Sequence, residues 1–158
     1  MPRFHKSEIA RAQLETAVSI FLRGLDRSSV ITLAGAASGI LDGLVKRAGK
    51  ETFVDYARRV HEAKVGHTPK RQAYAHRIAK RIGVIEHRHL AEGDSDTVDL
   101  DLGKLAVDAL SRAMADYIAL YGQDEPFVRA FLSWTWKNLD GPAVMKHYAV
   151  QPMKVRPR

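Results

Sequence analysis

Two Arg/His pairs lie within one strongly basic stretch: Arg71 with His76, and Arg81 with His87. Lys70, Arg77, Lys80 and Arg88 stand around them, and His89 follows two residues after His87. Arginine offers a phosphate a rigid fork of donors. Histidine moves protons near neutral pH. Together they form a minimum set for cutting RNA without a metal. The imidazole takes the 2′-hydroxyl proton, and the guanidinium stabilises the charge that builds on the phosphorane. The catalytic set expected from these residues is Arg81, His87 and His89. The expected nucleic-acid contacts are Lys70, Arg71, Arg77, Lys80 and Arg88.

Spacing separates the two pairs. Five residues along a regular helix place Arg71 and His76 about 140° apart, so they do not converge on one phosphate. That pair reads as a solvated basic face. Between Arg81 and His87 lies Gly83, where a helix can stop and the chain can fold back. The competing reading of Arg81 is a basic helix C-terminus that complements the dipole. His87 and His89 also form an H-x-H, whose side chains share one side of an extended segment. With Glu86, Asp94, Asp96, Asp99 and Asp101 they give a third, metal-binding reading. No standard ligand spacing supports it, and no metal ligand or cofactor is assigned. Glycine-rich phosphate loops, Ser-His-Asp order and H-E-x-x-H are all missing from the chain.

The elements that must position these residues are helical. Ser7 is the expected cap of a first helix, with Ala10, Leu14, Ala17 and Phe21 on one face. Gly24 stops it, and Asp26-Arg27-Ser28-Ser29 caps the next. Val30, Leu33, Ala37, Ile40, Leu41 and Leu44 form the second apolar face. Small residues from Ala34 to Gly39 allow close approach of a neighbouring helix, which marks this helix as central. Gly49 ends it, and a third helix carries Phe53, Tyr56, Ala57 and Val60. Thr68 and Pro69 are expected to start a fourth, which runs to about Ile82. Glu92 to Asp101 holds five carboxylates and no base, and reads as a loop ending in a cap. A long helix follows with Leu105, Ala109, Ala113 and Ile118, up to Gly122. A last one places Phe127, Phe131 and Trp134 on one face, which leaves Trp136 more exposed. Asp140-Gly141-Pro142 is expected to close it. The basic tail 143–158 is expected to be loosely ordered.

The chain has 158 residues, a formal net charge of +7 and no cysteine. One domain, residues 1–142, is the expected organisation. The charge suits an anionic partner, RNA or a nucleotide. The missing cysteines exclude disulfides, thiolate catalysis and Cys-based zinc sites. No secretory pattern and no run of about 20 apolar residues is apparent, so a cytoplasmic protein with no membrane partner is expected.

The Arg81/His87 and Arg71/His76 spacings are similar to the Arg-x4-6-His signature of the HEPN superfamily. That resemblance implies an all-helical, usually dimeric domain. Many members are metal-independent ribonucleases, while others bind nucleotides or partners without cutting. Gln13 to Val18, Phe21-Leu22 and Ser29 to Ala37 also look like a group of small uncharacterised bacterial helical proteins. In that group a Lys-His-Ala-Asp-like segment precedes an acidic run, matched here by Arg88-His89-Leu90-Ala91 and then Asp94 and Asp96. That alignment gives His89 the key position, with Val84 instead of arginine five residues earlier.

The expected architecture is therefore an all-α up-and-down bundle of about five to six helices, HEPN-like and homodimeric. The expected function is binding of RNA or a nucleotide, with metal-independent endoribonuclease activity as its catalytic form. The alternative is a non-catalytic interaction or antitoxin-like module. The third reading is metal binding through His87 and His89.

Overall fold

A computed structural model describes residues 1–158. It contains seven α-helices and no strand: α1 Lys6–Leu22, α2 Arg27–Arg47, α3 Phe53–Val65, α4 Arg71–Arg81, α5 Leu102–Tyr121, α6 Pro126–Asn138 and α7 Gly141–Val150. A 3-10 turn, Met153–Val155, follows. The bundle is all-α as expected, with one helix more than the expected upper count.

The central helix is α2, packed between α1 and α5. It buries Val30, Ile31, Ala34, Ala37, Leu41 and Val45. Leu14, Val18 and Phe21 of α1 meet this face, and α5 adds Ala106, Ala109, Leu110, Ala113, Met114 and Tyr117. Phe127, Val128 and Phe131 of α6 close the core. α2 is the only helix long and apolar enough to cross a membrane by length and composition. The fold spends its apolar residues on α1 and α5.

One glycine of α2 positions the chain after α4. A Cβ built on Gly35 falls 2.7 Å from Val84 Cγ1. Only glycine therefore lets the turn after α4 seat Val84, 2% exposed, against α2. Gly83 makes that turn with φ +79°, in the left-handed region that glycine adopts freely.

α3 and α4 form a hairpin of different character. α4 has no fully buried residue and α3 only Val54. Polar contacts attach this hairpin to the bundle. Thr52 caps α3 by accepting the Asp55 N–H. Arg71, the first residue of α4, donates to Asp55 (3.0 Å) and to Asp42 of α2 (2.7 Å). The Phe53 N–H, unpaired within its own helix start, donates to Asp116 Oδ1 of α5 at 2.7 Å.

Three local expectations need correction. His5, not Ser7, caps α1: its ring accepts the Ser7 N–H, and Glu8 accepts the His5 N–H. Thr68-Pro69 does not start α4; the cap is Lys70, and the Pro69 carbonyl accepts both Nε and a terminal nitrogen of Arg58. Residues 143–158 are not loose. Asp140, at φ 50°, ends α6 and caps α7 through the Ala143 N–H. Beyond α7, Arg59 of α3 donates to the carbonyls of Lys154 and Arg156, pinning the chain end.

Candidate functional site

Between the α3–α4 hairpin and α5 lies a cavity of about 370 Å³. Phe53, Ala57, Tyr74, Ile78 and Ile82 give it an apolar wall. Arg81 closes it from α4, and Lys104, Asp108, Ser111 and Arg112 face it from α5. The α5 residues recur at intervals of three and four, so they form one stripe along the helix. The opposite side of α5 faces the core. The cavity lies where the hairpin is tied to α2 and α5 by polar contacts instead of being packed down by apolar ones.

Charge is unevenly matched around this space. Lys104 pairs with Asp108. Arg81 forms no ion pair within the chain and is exposed. Arg112 is 8% exposed, and its Nε has no hydrogen-bond partner. Burial pushes the Arg112 guanidinium below its usual pKa, partly offset by the Asp116 and Asp42 charges. Beneath it, Asp116 is 1% exposed and its Oδ2 is also unpartnered. Burial lifts this carboxyl to about 6, against the opposing pull of the Phe53 N–H. A buried guanidinium without an acceptor is costly. In this chain that group lines a cavity.

The flanking network is satisfied by contrast. Burial alone would raise Asp55, yet hydrogen bonds from Arg71, Thr52 and Arg58 hold it below the usual carboxylate range. Burial works against the Arg71 charge, and Asp42 and Asp55 outweigh it, so its pKa is raised. Arg71 was expected among solvated nucleic-acid contacts. It is half-buried and committed to two carboxylates, so it holds the hairpin in place instead.

The other expected site residues are dispersed. Arg81 lines the cavity. His87 does not: its Nδ1 lies 2.8 Å from the Gly83 carbonyl. The imidazole lies within electrostatic reach of Asp26 at the start of α2. That carboxyl is held low chiefly by Ser29, with the imidazole a minor contributor. His89 is exposed, as are Lys70, Arg77, Lys80 and Arg88. Residues 83–89 form successive turns, with the His87 N–H on Gly83 and the His89 N–H on Ile85. The extended geometry that an H-x-H site needs is absent. No three His, Asp or Glu side chains come together as a metal cage, so the metal-binding reading is not carried forward.

The stripe Lys104-Asp108-Arg112-Asp116 is legible in the sequence, although apolar periodicity alone passes over it. Four charged residues at exact four-residue spacing lie in a helix that is otherwise a core helix. Such a stripe reads as a solvated face, and the structure buries its second half, Arg112 and Asp116.

A second cavity, of about 480 Å³, lies on the other side of Lys104 and Asp108, which line both. Its remaining walls are Phe21, Arg27, Gly103, Val107, Trp134 and Leu139. Trp134 meets Phe21 edge-on, with ring centres 4.6 Å apart. Trp136 is exposed, and its indole covers Gly141 where α6 turns into α7.

The chain matches no family model, no curated protein and no solved structure.

Proposed function

We propose that this chain is a nucleotide-binding helical protein, and that a ligand phosphate sits between Arg81 and Arg112. The observation that carries this reading is the Arg112 guanidinium, 8% exposed at the cavity wall and in no ion pair within the chain. A phosphate in the cavity supplies an acceptor and counter-charge to the part of this guanidinium that lines it, in a charge-assisted bond. Arg81 and Arg112 are the cavity cations without a carboxylate partner, since Lys104 is already paired with Asp108. Phe53, Tyr74 and Ile78 offer the apolar wall that a base needs. The volume falls within the roughly 300–1,000 Å³ range of small-molecule sites.

The role is binding, not cleavage. Arg81 is placed to hold a phosphate, whereas His87 and His89 lie outside the cavity. Lys70, Arg77, Lys80 and Arg88 are exposed on α4 and the turn after it, and favour RNA as the polymeric form of the ligand. A cytoplasmic setting belongs to the same reading.

Calorimetric titration with AMP and with adenosine tests this. AMP is expected to bind at least tenfold more tightly, because bonds to charged groups contribute about 1.5–3 kcal/mol each. Arg81→Ala is expected to remove most of that difference. Equal binding of adenosine and AMP would sink the reading.

We also infer a homodimer. α7 buries only Gly141, and Trp136, Leu139, Val144, Met145, Tyr148 and Val150 stand exposed along α7 and the end of α6. An apolar surface of this kind is suited to a second copy.

A further inference from the structure

We propose that the ligand is a dinucleotide, which crosses the Lys104–Asp108 ridge and places its second base in the cavity walled by Trp134. This inference rests on the nucleotide reading of the first cavity and adds the size of the ligand. The two cavities are not independent features of the surface. Lys104 and Asp108 line both, so one turn of α5 forms the ridge between them.

Their chemistry differs in a way that matches one phosphate-linked ligand. The first cavity holds the two guanidiniums that form no ion pair within the chain, Arg81 and Arg112. The second is walled by Phe21, Val107, Trp134 and Leu139. Its one arginine, Arg27, is already engaged: it donates to the Phe21 carbonyl at 2.8 Å, and its guanidinium lies 4.3 Å from the centre of the Phe21 ring. The second cavity therefore suits a flat apolar ring better than a phosphate. Lys104 is two-thirds exposed and sits where a linking phosphodiester passes. It can exchange Asp108 for that phosphate. Asp108 opposes the same phosphate, so Asp108→Asn is expected to tighten binding of the dinucleotide.

The test uses deoxynucleotides, which lack the 2′-hydroxyl. The probes are dAMP, the 3′,5′-bisphosphate pdAp, and the dinucleotide pdApdA. The last two have the same number of phosphates, so a difference between them reports the second base. pdApdA is expected to bind at least tenfold more tightly than pdAp. Gly103→Phe fills the second cavity alone. It is sterically open, since a Cβ there meets nothing closer than Asp101 Oδ1 at 3.5 Å. This variant is expected to reduce pdApdA to the affinity of pdAp while dAMP binding persists, which also shows that the variant is folded. In a Trp136→Phe background Trp134 is the only tryptophan. Its emission is expected to change with pdApdA and not with pdAp.

Equal affinities of pdApdA and pdAp, with dAMP bound, would overturn the dinucleotide and leave the nucleotide reading standing. An advantage that survives Gly103→Phe would also overturn it. If none of the three probes binds, the dinucleotide is overturned, and the nucleotide reading falls with it only where AMP binds no more tightly than adenosine.

Discussion

Arg112 and Asp116 stand one helical turn apart, and burial pushes each toward its neutral form. For Asp116 this has a definite sign. Its folded pKa, about 6, lies above the ordinary 3.8, so the folded state holds the proton more tightly. The stability this contributes is present below about pH 4 and is lost as pH rises through about 6. A shift of this size corresponds to about 3 kcal/mol. Asp116→Asn keeps an acceptor for the Phe53 N–H and removes the titration. Relative to the parent protein, the variant is expected to gain about 2 kcal/mol between pH 4.5 and pH 7.5 in urea unfolding. A pH-independent difference would show that Asp116 does not titrate in this window. Arg71 is the residue whose role sequence reading placed wrongly. Its type and its neighbours on α4 mark a solvated basic face. Its partners, Asp42 and Asp55, are distant in sequence, and only the fold brings them together.

α2 shows what a helix contributes beyond its apolar face. The small residues from Ala34 to Gly39 predict close approach of a neighbouring helix; at Gly35 the close neighbour is instead Val84, in the turn after α4. Gly35→Ala presses a methyl against a stiff β-branched side chain, and is expected to destabilise by about 1–3 kcal/mol despite the better helix propensity. Gly35→Ala combined with Val84→Ala is expected to recover part of that loss. Gly39 has open space around it, so Gly39→Ala is expected to stabilise by about 0.5–1 kcal/mol. Thermal denaturation of the four proteins checks all three signs; destabilisation by both single changes would contradict this packing. Apolar periodicity made α1, α2, α5 and α6 legible, because each buries one continuous face. It failed at α7. Asp140-Gly141-Pro142 carries both stop and start signals, and a helix that buries almost nothing leaves no periodic face to read. It also passed over the charged stripe of α5, whose polar spacing is clear and whose apolar spacing drew the eye.

At the scale of the whole molecule, a bundle core carries a polar-attached hairpin, and the cavity lies along that junction. An apolar surface runs along α7 and the end of α6, and its Leu139 also borders the second cavity. If two copies meet there, sedimentation equilibrium should give twice the 17.6 kDa chain mass. Met145→Glu with Val144→Glu should then return the single-chain mass; a parent protein that is monomeric at micromolar concentration would remove the dimer from the account. The cavity itself is tested most directly through Arg112. Its Nε–H signal in the ¹H–¹⁵N spectrum is identified by its loss in Arg112→Lys. Saturating AMP is expected to shift that signal by bonding to the same guanidinium, while adenosine leaves it in place. An Arg112 signal unmoved by saturating AMP would contradict the assignment of this guanidinium to a nucleotide phosphate.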